Sequence, residues 1–531
     1  MAYETRSGIP VKSVYSWDDL KGFDLQAALG EPGRYPFTRG IYSQMYRQQS
    51  WTRRLGCSLG APEETNKRLR YLISEGLTGI SISCDGPTLV GIDADHPLAE
   101  GEVGLVGCSI CTLDDIEVIF SDIPIESLRP LLIYAQPASA IIFAMFLLLC
   151  KRRGIDIRQL EATIQNDPIY QMSGGALECL DKFTPVELAM RLSLDTIEYC
   201  AKNMPKAKPI GINAYNVRER GVDAVTEVAY GIGLAVDMAA ALVERGVGID
   251  EFAPNISFFM STHIDFFEEV AKYRAARRLW ARVMKQKFQA QREASCRFRV
   301  AVQTAGSSLT TQQPLNNIIR TASEVIASVL GGVQSIRATP YDEGICLPTE
   351  SSARIAIRTQ QIIFEETGIG NTADPLGGSY YVEWLTNQIE DRAAMELEEI
   401  EKAGGVVAAI KSGRLERAVN DAIEKRQAKM SVGEDVVVGV NEYVVAEEDV
   451  GIQDIYRADL GLEEKRKEYL MRYRSEREGQ SVSRAREELL KLAKQGVNLI
   501  SPIMQALEAK MTMGEIADAL REAYGFVLRG A

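Results

Sequence analysis

Histidine is almost missing from this chain: His96 and His263 are the only two among 531 residues. Neither falls at a predicted strand end beside a carboxylate, which argues against a Ser-His-Asp relay or a histidine-rich metal site. Cysteine is present but unorganised, at 57, 84, 108, 111, 150, 179, 200, 296 and 346. The closest pair, Cys108-x-x-Cys111, has no second CxxC and no nearby histidine. The pair reads as buried thiols in a strand "VGCSICT" rather than a zinc site. The free spacing fits a reducing cytoplasm. The opening "MAYETRSGIPVKS" lacks an apolar stretch, so no signal peptide is expected. The longest apolar run, "AIIFAMFLLLC" (140–150), is too short to span a bilayer and reads as a buried helix. No GxGxxG follows any predicted strand, which weakens a dinucleotide-binding reading. Net basic charge is lacking too: the formal charge is −13 and the pI about 5.1, which argues against a nucleic-acid surface. These absences lead to an expected cytoplasmic protein without membrane, nucleic-acid or metal partners.

What is present is ordinary globular material, 46% hydrophobic and 25% charged. From about residue 79 a rhythm appears. Short apolar strands are predicted at 79–85, 106–112, 130–136, 161–167, 209–215, 253–260, 299–305 and 335–341. Between them lie stretches with helical spacing, such as "PVELAMRLSLDTIEYCAKNM" and "DFFEEVAKYRAARRLWARVMKQ". Near-continuous apolar strands alternating with helices indicate a parallel sheet covered on both faces. Eight such units predict an α/β fold, a (β/α)8 TIM barrel; an open doubly wound sheet is the alternative. The reading divides the chain into an N-terminal arm (1–50), a barrel (51–385) and a helical C-terminal region (386–531). The arm is punctuated by Pro and Gly and is expected to wrap its own barrel or a partner subunit. The charge runs of the C-terminal region read as solvated helix faces.

Active sites of barrels sit at the C-terminal ends of strands. Those ends offer Ser83 and Asp85, Gln136, Thr163 with Gln165 and Asn166, Tyr215 and Asn216, Ser257, Gln303 with Thr304, and Thr339 with Glu343. The set is rich in amides and hydroxyls and poor in acids and bases. Such a neutral rim suits chemistry performed by a cofactor while the protein orients and shields, radical rearrangement being one case.

Several long segments, in order, carry a resemblance to a known family. They include "YRQQSWTRRLGCSLGAPEETNKRLRYLISEGLTGISISCDGPTLVGIDADHP", "TIQNDPI", "FAPNISFFM", "QTAGSSLTTQQPLNNIIRTASEVIASVLGGVQS" and "DPLGGSYYVE". The chain resembles the large, substrate-binding part of methylmalonyl-CoA mutase and its relatives from about residue 40 to the C-terminus. The resemblance implies a barrel threaded by the pantetheine arm of an acyl-CoA, with adenosylcobalamin across its mouth and a radical 1,2 carbon-skeleton shift. The family's cobalamin module carries a DxHxxG motif and a flavodoxin-like unit, and neither is found here. The resemblance therefore implies a separate small subunit bringing most of the cobalamin site, in a hetero-oligomer of two large and two small chains.

Carried over by resemblance, Tyr215, Asn216 and Gln165 are the catalytic residues. By the same resemblance Gly56, Thr163, Gly175, Ser257, Arg299 and Gln334 bind substrate and Gln303 and Glu343 face the cofactor; to these the reading of the residues adds Thr52 and Ser83 for substrate and Thr339 for the cofactor. The departures carry information. Gly56 stands where the methylmalonyl enzyme has a tyrosine, and Gly175 where it has a carboxylate-binding arginine. Asn216 stands where a histidine bonds the thioester carbonyl. Basic groups near coenzyme A are replaced by Gln49, Asn255 and Ala301. An unpaired buried carboxylate is costly, so the expected acyl group is bulkier or less acidic than methylmalonyl. The alternatives are a non-catalytic assembly subunit, or a true methylmalonyl-CoA mutase with an atypical pocket.

Overall fold

The computed structural model describes residues 3–56, 58–127, 131–134, 138–169, 183–445 and 455–528. The chain forms two compact units, one of residues 1–53 and 212–456, the other of residues 54–211 and 457–531. Among the described residues, eight strands belong to the main sheet system: β1 (Thr52–Gly56), β2 (Gly79–Ser83), β3 (Leu131–Tyr134), β4 (Ala162–Gln165), β5 (Ile210–Asn213), β6 (Ile256–Thr262), β7 (Arg299–Thr304) and β8 (Ser335–Arg337). Parallel strands alternating with helices make this the α/β, (β/α)8-type fold that the sequence predicts.

In the second unit β1, β2, β3 and β4 pair in chain order, all parallel. Gly56 lies opposite Ser81, and Thr163 opposite Leu132. One sequence expectation fails here. The first barrel strand is "TRRLG" (52–56), which has no apolar run, whereas "VGCSICT" (106–112) is not a strand. The latter touches the ladder only through a bridge between Cys108 and Cys84. Gly104 and Gly107, at φ +68° and +100°, turn the backbone out of extended geometry around it. The thiols themselves are buried as expected. Burial inverts the usual strand signal in β1: Arg54 is 3% exposed, and its Nη1 donates to the Ile80 carbonyl at 3.0 Å. The helix Ser139–Arg152 is buried along nearly its whole length, which explains its uninterrupted apolar sequence.

The charged C-terminal helix Leu462–Ser475 is not merely a solvated surface. Arg466 makes a bidentate bond to Asp115 at 2.9 and 2.8 Å with both partners buried, and Arg474 reaches Asp93 at 2.9 Å and also Asp95. The charges on this helix therefore fasten it to the 93–115 segment.

In the first unit β6 and β7 pair in parallel from Ser257↔Arg299 to Thr262↔Thr304, and β7 pairs with β8 through Gln303↔Arg337. The helix Phe266–Gln286 buries a row of charges. Arg274 meets Asp374 and Glu383, while Arg277 donates to the carbonyls of Phe37, Thr38 and Gly331 at 2.9, 2.9 and 2.6 Å. Those bonds tie the N-terminal arm to its own unit. The Arg6 and Ser7 amides add to them, donating to Asp265 and Glu268 at 3.1 and 2.9 Å. The helix Ala224–Glu244 is long and apolar enough to cross a membrane, but 78% of its most apolar window is buried inside the protein. It is a core helix.

Candidate active site

In the first unit the strand ends converge on Tyr215. Asn213, the last residue of β5, accepts the Asn216 amide through its Oδ1 at 3.0 Å. This bond precedes the single helical turn Tyr215–Glu219, whose N-cap is Ala214, and holds the Asn216 amide in place. The Tyr215 ring lies 5.2 Å from that of Phe259 on β6. Burial pushes the Tyr215 hydroxyl well above its usual range, with Glu219 and Glu343 adding to the shift and Arg337 opposing it. The phenol is thus a neutral donor. Asn216 Nδ2 is buried and has no hydrogen-bond partner. A buried amide nitrogen without a partner costs about 1–3 kcal/mol, so it signals a group expected from elsewhere.

Glu219 was not singled out by the sequence reading. It lies one turn from Tyr215, and that spacing was the available signal. Its Oε1 accepts from Ser261 at 2.8 Å and its Oε2 from the Ser307 amide at 2.8 Å, so it holds the turn after β7. A side chain at Gly306 in that turn would touch both Glu219 Oε2 at 3.5 Å and Tyr215 Oη at 3.7 Å. Gln303, 4% exposed, reaches Thr339 Oγ1 only at 3.5 Å, a weak contact that leaves the amide available. Thr339 itself is engaged in the fold: its hydroxyl donates to the Thr304 carbonyl at 2.6 Å and its amide to Thr304 Oγ1 at 2.7 Å. Burial pushes the Glu343 carboxyl upward against the pull of Arg337.

Four first-unit residues predicted to bind substrate, Thr52, Ser257, Arg299 and Gln334, lie at the opposite, N-terminal ends of the strands. Ser257 is one correction: it stands near the start of β6, opposite Arg299, and not at the catalytic rim. The residues at the rim end of β6 are Ser261 and Thr262. Gln334 accepts the Val300 amide at 2.9 Å and donates to the Gly332 carbonyl at 2.8 Å, so its side chain serves the fold. Thr52 pairs through its amide with the Gln334 carbonyl at 3.0 Å.

In the second unit Thr163 and Gln165 are two apart on β4 and share a face. Gln165 is 1% exposed, yet neither its Oε1 nor its Nε2 has a hydrogen-bond partner. Asn166 Oδ1 is likewise buried and unpartnered, while the hydroxyl of Ser193 donates to the Asn166 carbonyl. Ser83 ends β2, its amide donating to Ser58 Oγ at 2.8 Å. Gly56 ends β1 within the ladder, opposite Ser81. Asp85 is structural: it caps the turn at Gly86 and accepts from the amides of Thr88 and Gly104 at 3.0 and 2.8 Å. Gly175 and Gln136 lie outside the described residues.

Across 4–526 the sequence matches the family model described as methylmalonyl-CoA mutase. The chain belongs to the methylmalonyl-CoA mutase family. It is therefore an isomerase of the acyl-CoA mutase class. It is 38% identical over 524 residues to the 2-hydroxyisobutanoyl-CoA mutase large subunit of Aquincola tertiaricarbonis, covering 98% of this chain and 92% of that one. It is 37% identical to the methylmalonyl-CoA mutases of Cereibacter sphaeroides and Homo sapiens, covering 99% of this chain and 73% and 69% of theirs. Among the described residues no group of three or more His, Cys, Asp or Glu is placed to hold a metal ion.

Proposed function

We propose that the chain is the large subunit of an adenosylcobalamin-dependent acyl-CoA mutase. Its substrate carries an acyl group bulkier or less acidic than methylmalonyl, and a separate small subunit holds most of the cobalamin, in a hetero-oligomer of two large and two small chains. The observation that carries this reading is the set of buried, unpartnered amides at strand ends: Asn216 Nδ2, both polar atoms of Gln165, and Asn166 Oδ1. Neutral amides bind carbonyls and hydroxyls without exchanging protons at ordinary pH. The relative named as a large subunit, matched over 92% of its length, supports a two-chain enzyme.

The residues present fit the cofactor. Gln303 is held only loosely and Glu343 is buried beside Arg337, which suits the hydroxyl-rich, uncharged adenosyl group. When bound, adenosylcobalamin supplies a carbon radical by homolysis of its cobalt–carbon bond. The chain's own residues then orient and shield. Asn216 Nδ2 donates to the thioester carbonyl, and Tyr215, neutral and packed on Phe259, closes the site on that side. Glu219 keeps the Gly306–Ser308 turn in place. In the second unit Thr163 and Gln165 offer a hydroxyl and an amide to a polar group. Gly56 leaves room for a branched or hydroxylated chain, since its strand position keeps the backbone extended and only the missing side chain distinguishes it.

The test is an assay of the reconstituted complex with methylmalonyl-, succinyl-, isobutyryl-, pivalyl-, 2-hydroxyisobutyryl- and larger acyl-CoAs. The malonyl and succinyl compounds are expected to give low kcat/KM. In Gly56→Phe, turnover of the bulky native substrate falls roughly 10- to 100-fold, since overpacking costs about 1–3 kcal/mol, while small acyl groups are spared. A highest kcat/KM for the malonyl–succinyl pair would refute the substrate assignment.

A further inference from the structure

The strand-end groups singled out from the sequence are mostly amides and hydroxyls, but the structure sets a permanent cation among them. In-register neighbours on parallel strands project to the same face of the sheet. Ser261 on β6 lies opposite Gln303 on β7, and Gln303 opposite Arg337, the last residue of β8. Ser261 Oγ donates to Glu219 at 2.8 Å, so this row faces the turn that carries Tyr215. Tyr215 in turn is influenced by the charges of Glu219, Glu343 and Arg337. Beyond β8 the chain is clamped before it reaches Glu343. The Thr339 hydroxyl and amide both bond to Thr304, and Asn317 Nδ2 donates to the Tyr341 carbonyl at 2.9 Å. The Glu343 amide then closes a turn onto the Pro340 carbonyl at 3.1 Å. These backbone anchors hold Glu343 close to Arg337 without using its carboxyl. The charged groups that face that carboxyl are Arg337, Asp342 and Glu219. Asp342 is committed to Thr349, whose amide donates to its Oδ2 at 3.2 Å, and Glu219 to Ser261 and Ser307. Among the described residues Arg337 is the group that opposes the burial of Glu343 and the repulsion from its two acidic neighbours.

We propose that Arg337 is a positioning residue for the cofactor side of the site: it keeps Glu343 a charged acceptor for the hydroxyls of the adenosyl group. This rests on the mutase reading for the identity of the ligand. A charged acceptor bonds a hydroxyl about twice as strongly as a neutral one. Arginine suits the role because its own charge does not titrate.

The first measurement needs no cofactor. The infrared band of protonated Glu343, identified by its loss in Glu343→Gln, is followed against pH in the purified chain. Arg337→Gln is expected to move its midpoint up by about one pH unit or more, and Arg337→Lys to leave it near the wild-type position. The second measurement is adenosylcobalamin binding to the complex with the small subunit, read from the visible spectrum. Arg337→Gln weakens binding about 10-fold near neutral pH and less at alkaline pH, because the carboxylate is regained as pH rises above the new midpoint. In Glu343→Gln that pH dependence is gone, and adding Arg337→Gln costs nothing further. An unmoved midpoint, with or without a lowered Tm, would show a purely structural arginine and overturn the proposal. So would a moved midpoint with wild-type affinity for the cofactor. A moved midpoint in a chain whose wild-type complex binds no adenosylcobalamin would refute the mutase reading and leave the coupling of Arg337 to Glu343 standing.

Discussion

At the scale of the residue, Asn216 shows how a side chain's identity and its surroundings carry separate information. Its backbone is held by Asn213, yet its Nδ2 is left without a partner in a buried position. A residue that only filled space would have that atom satisfied or solvated. Replacing Asn216 with alanine is expected to lower kcat about 10-fold, the worth of one neutral hydrogen bond of roughly 1.4 kcal/mol, with little change in Tm. Steady-state kinetics beside a thermal melt distinguish this from a packing role, in which Tm would fall and kcat would hold. Gln165 shows the same: it is buried, and both of its polar atoms are without a partner. Thr339 and Gln334 read equally well in sequence, but the structure employs their side chains in cross-strand bonds. No sequence spacing reveals which amide is engaged, because the partner lies on a different strand.

At the scale of the element, the joint between the helices Ala224–Glu244 and Val406–Lys411 gives the sharpest expectation. Asp237 on the first accepts the Val406 amide, at the N-terminus of the second, at 2.7 Å. Gly405 just before it has φ +94°, and a Cβ there would come within 2.6 Å of Asp237 Oδ2. Gly405→Ala therefore costs about 2–3 kcal/mol, from positive φ together with the displaced carboxylate, and lowers the chemical denaturation midpoint. The same joint has a pH signature. Burial is the largest cause pushing the Asp237 carboxyl up to about 6, aided by Glu401 and opposed by the Val406 bond. With a folded value above the unfolded one, near 3.9, its contribution is fully present below about pH 4. That contribution is lost as pH rises through about 6. Asp237→Asn should flatten the stability profile between pH 4 and 7 and leave the protein at pH 8 as stable as wild type or more so. A variant with an unchanged profile would show that this group does not titrate in that window.

At the scale of the whole molecule, the question is what the chain provides and what must come from outside. Its two histidines are both occupied on one nitrogen: His96 Nδ1 accepts the Leu98 amide at 3.1 Å and His263 Nδ1 the Ile264 amide at 2.8 Å. His263 is 3% exposed, and burial holds it well below the usual imidazole range. Titrating the purified chain with adenosylcobalamin should leave the cofactor's visible spectrum unchanged until the small subunit is added. Stoichiometric micromolar binding by the chain alone would refute the division of labour proposed above.

The sequence by itself determined the fold class and most of the strand positions, because parallel strands buried on both faces must be apolar and leave a short-range signal. It also determined the amide-rich character of the strand ends, which is a matter of composition at turns. It misplaced one strand. "TRRLG" hides its strand behind two arginines, of which Arg54 is buried and bonded to the Ile80 carbonyl, while "VGCSICT" is apolar because it is buried beside the end of β2. Only the tertiary structure decided which polar groups are consumed by the fold and which are left open. It alone moved Ser257 to the far end of its strand. The reason is physical. Burial and pairing of a polar atom depend on residues distant in the chain, and hydrophobic periodicity, a property of neighbours, contains nothing about them.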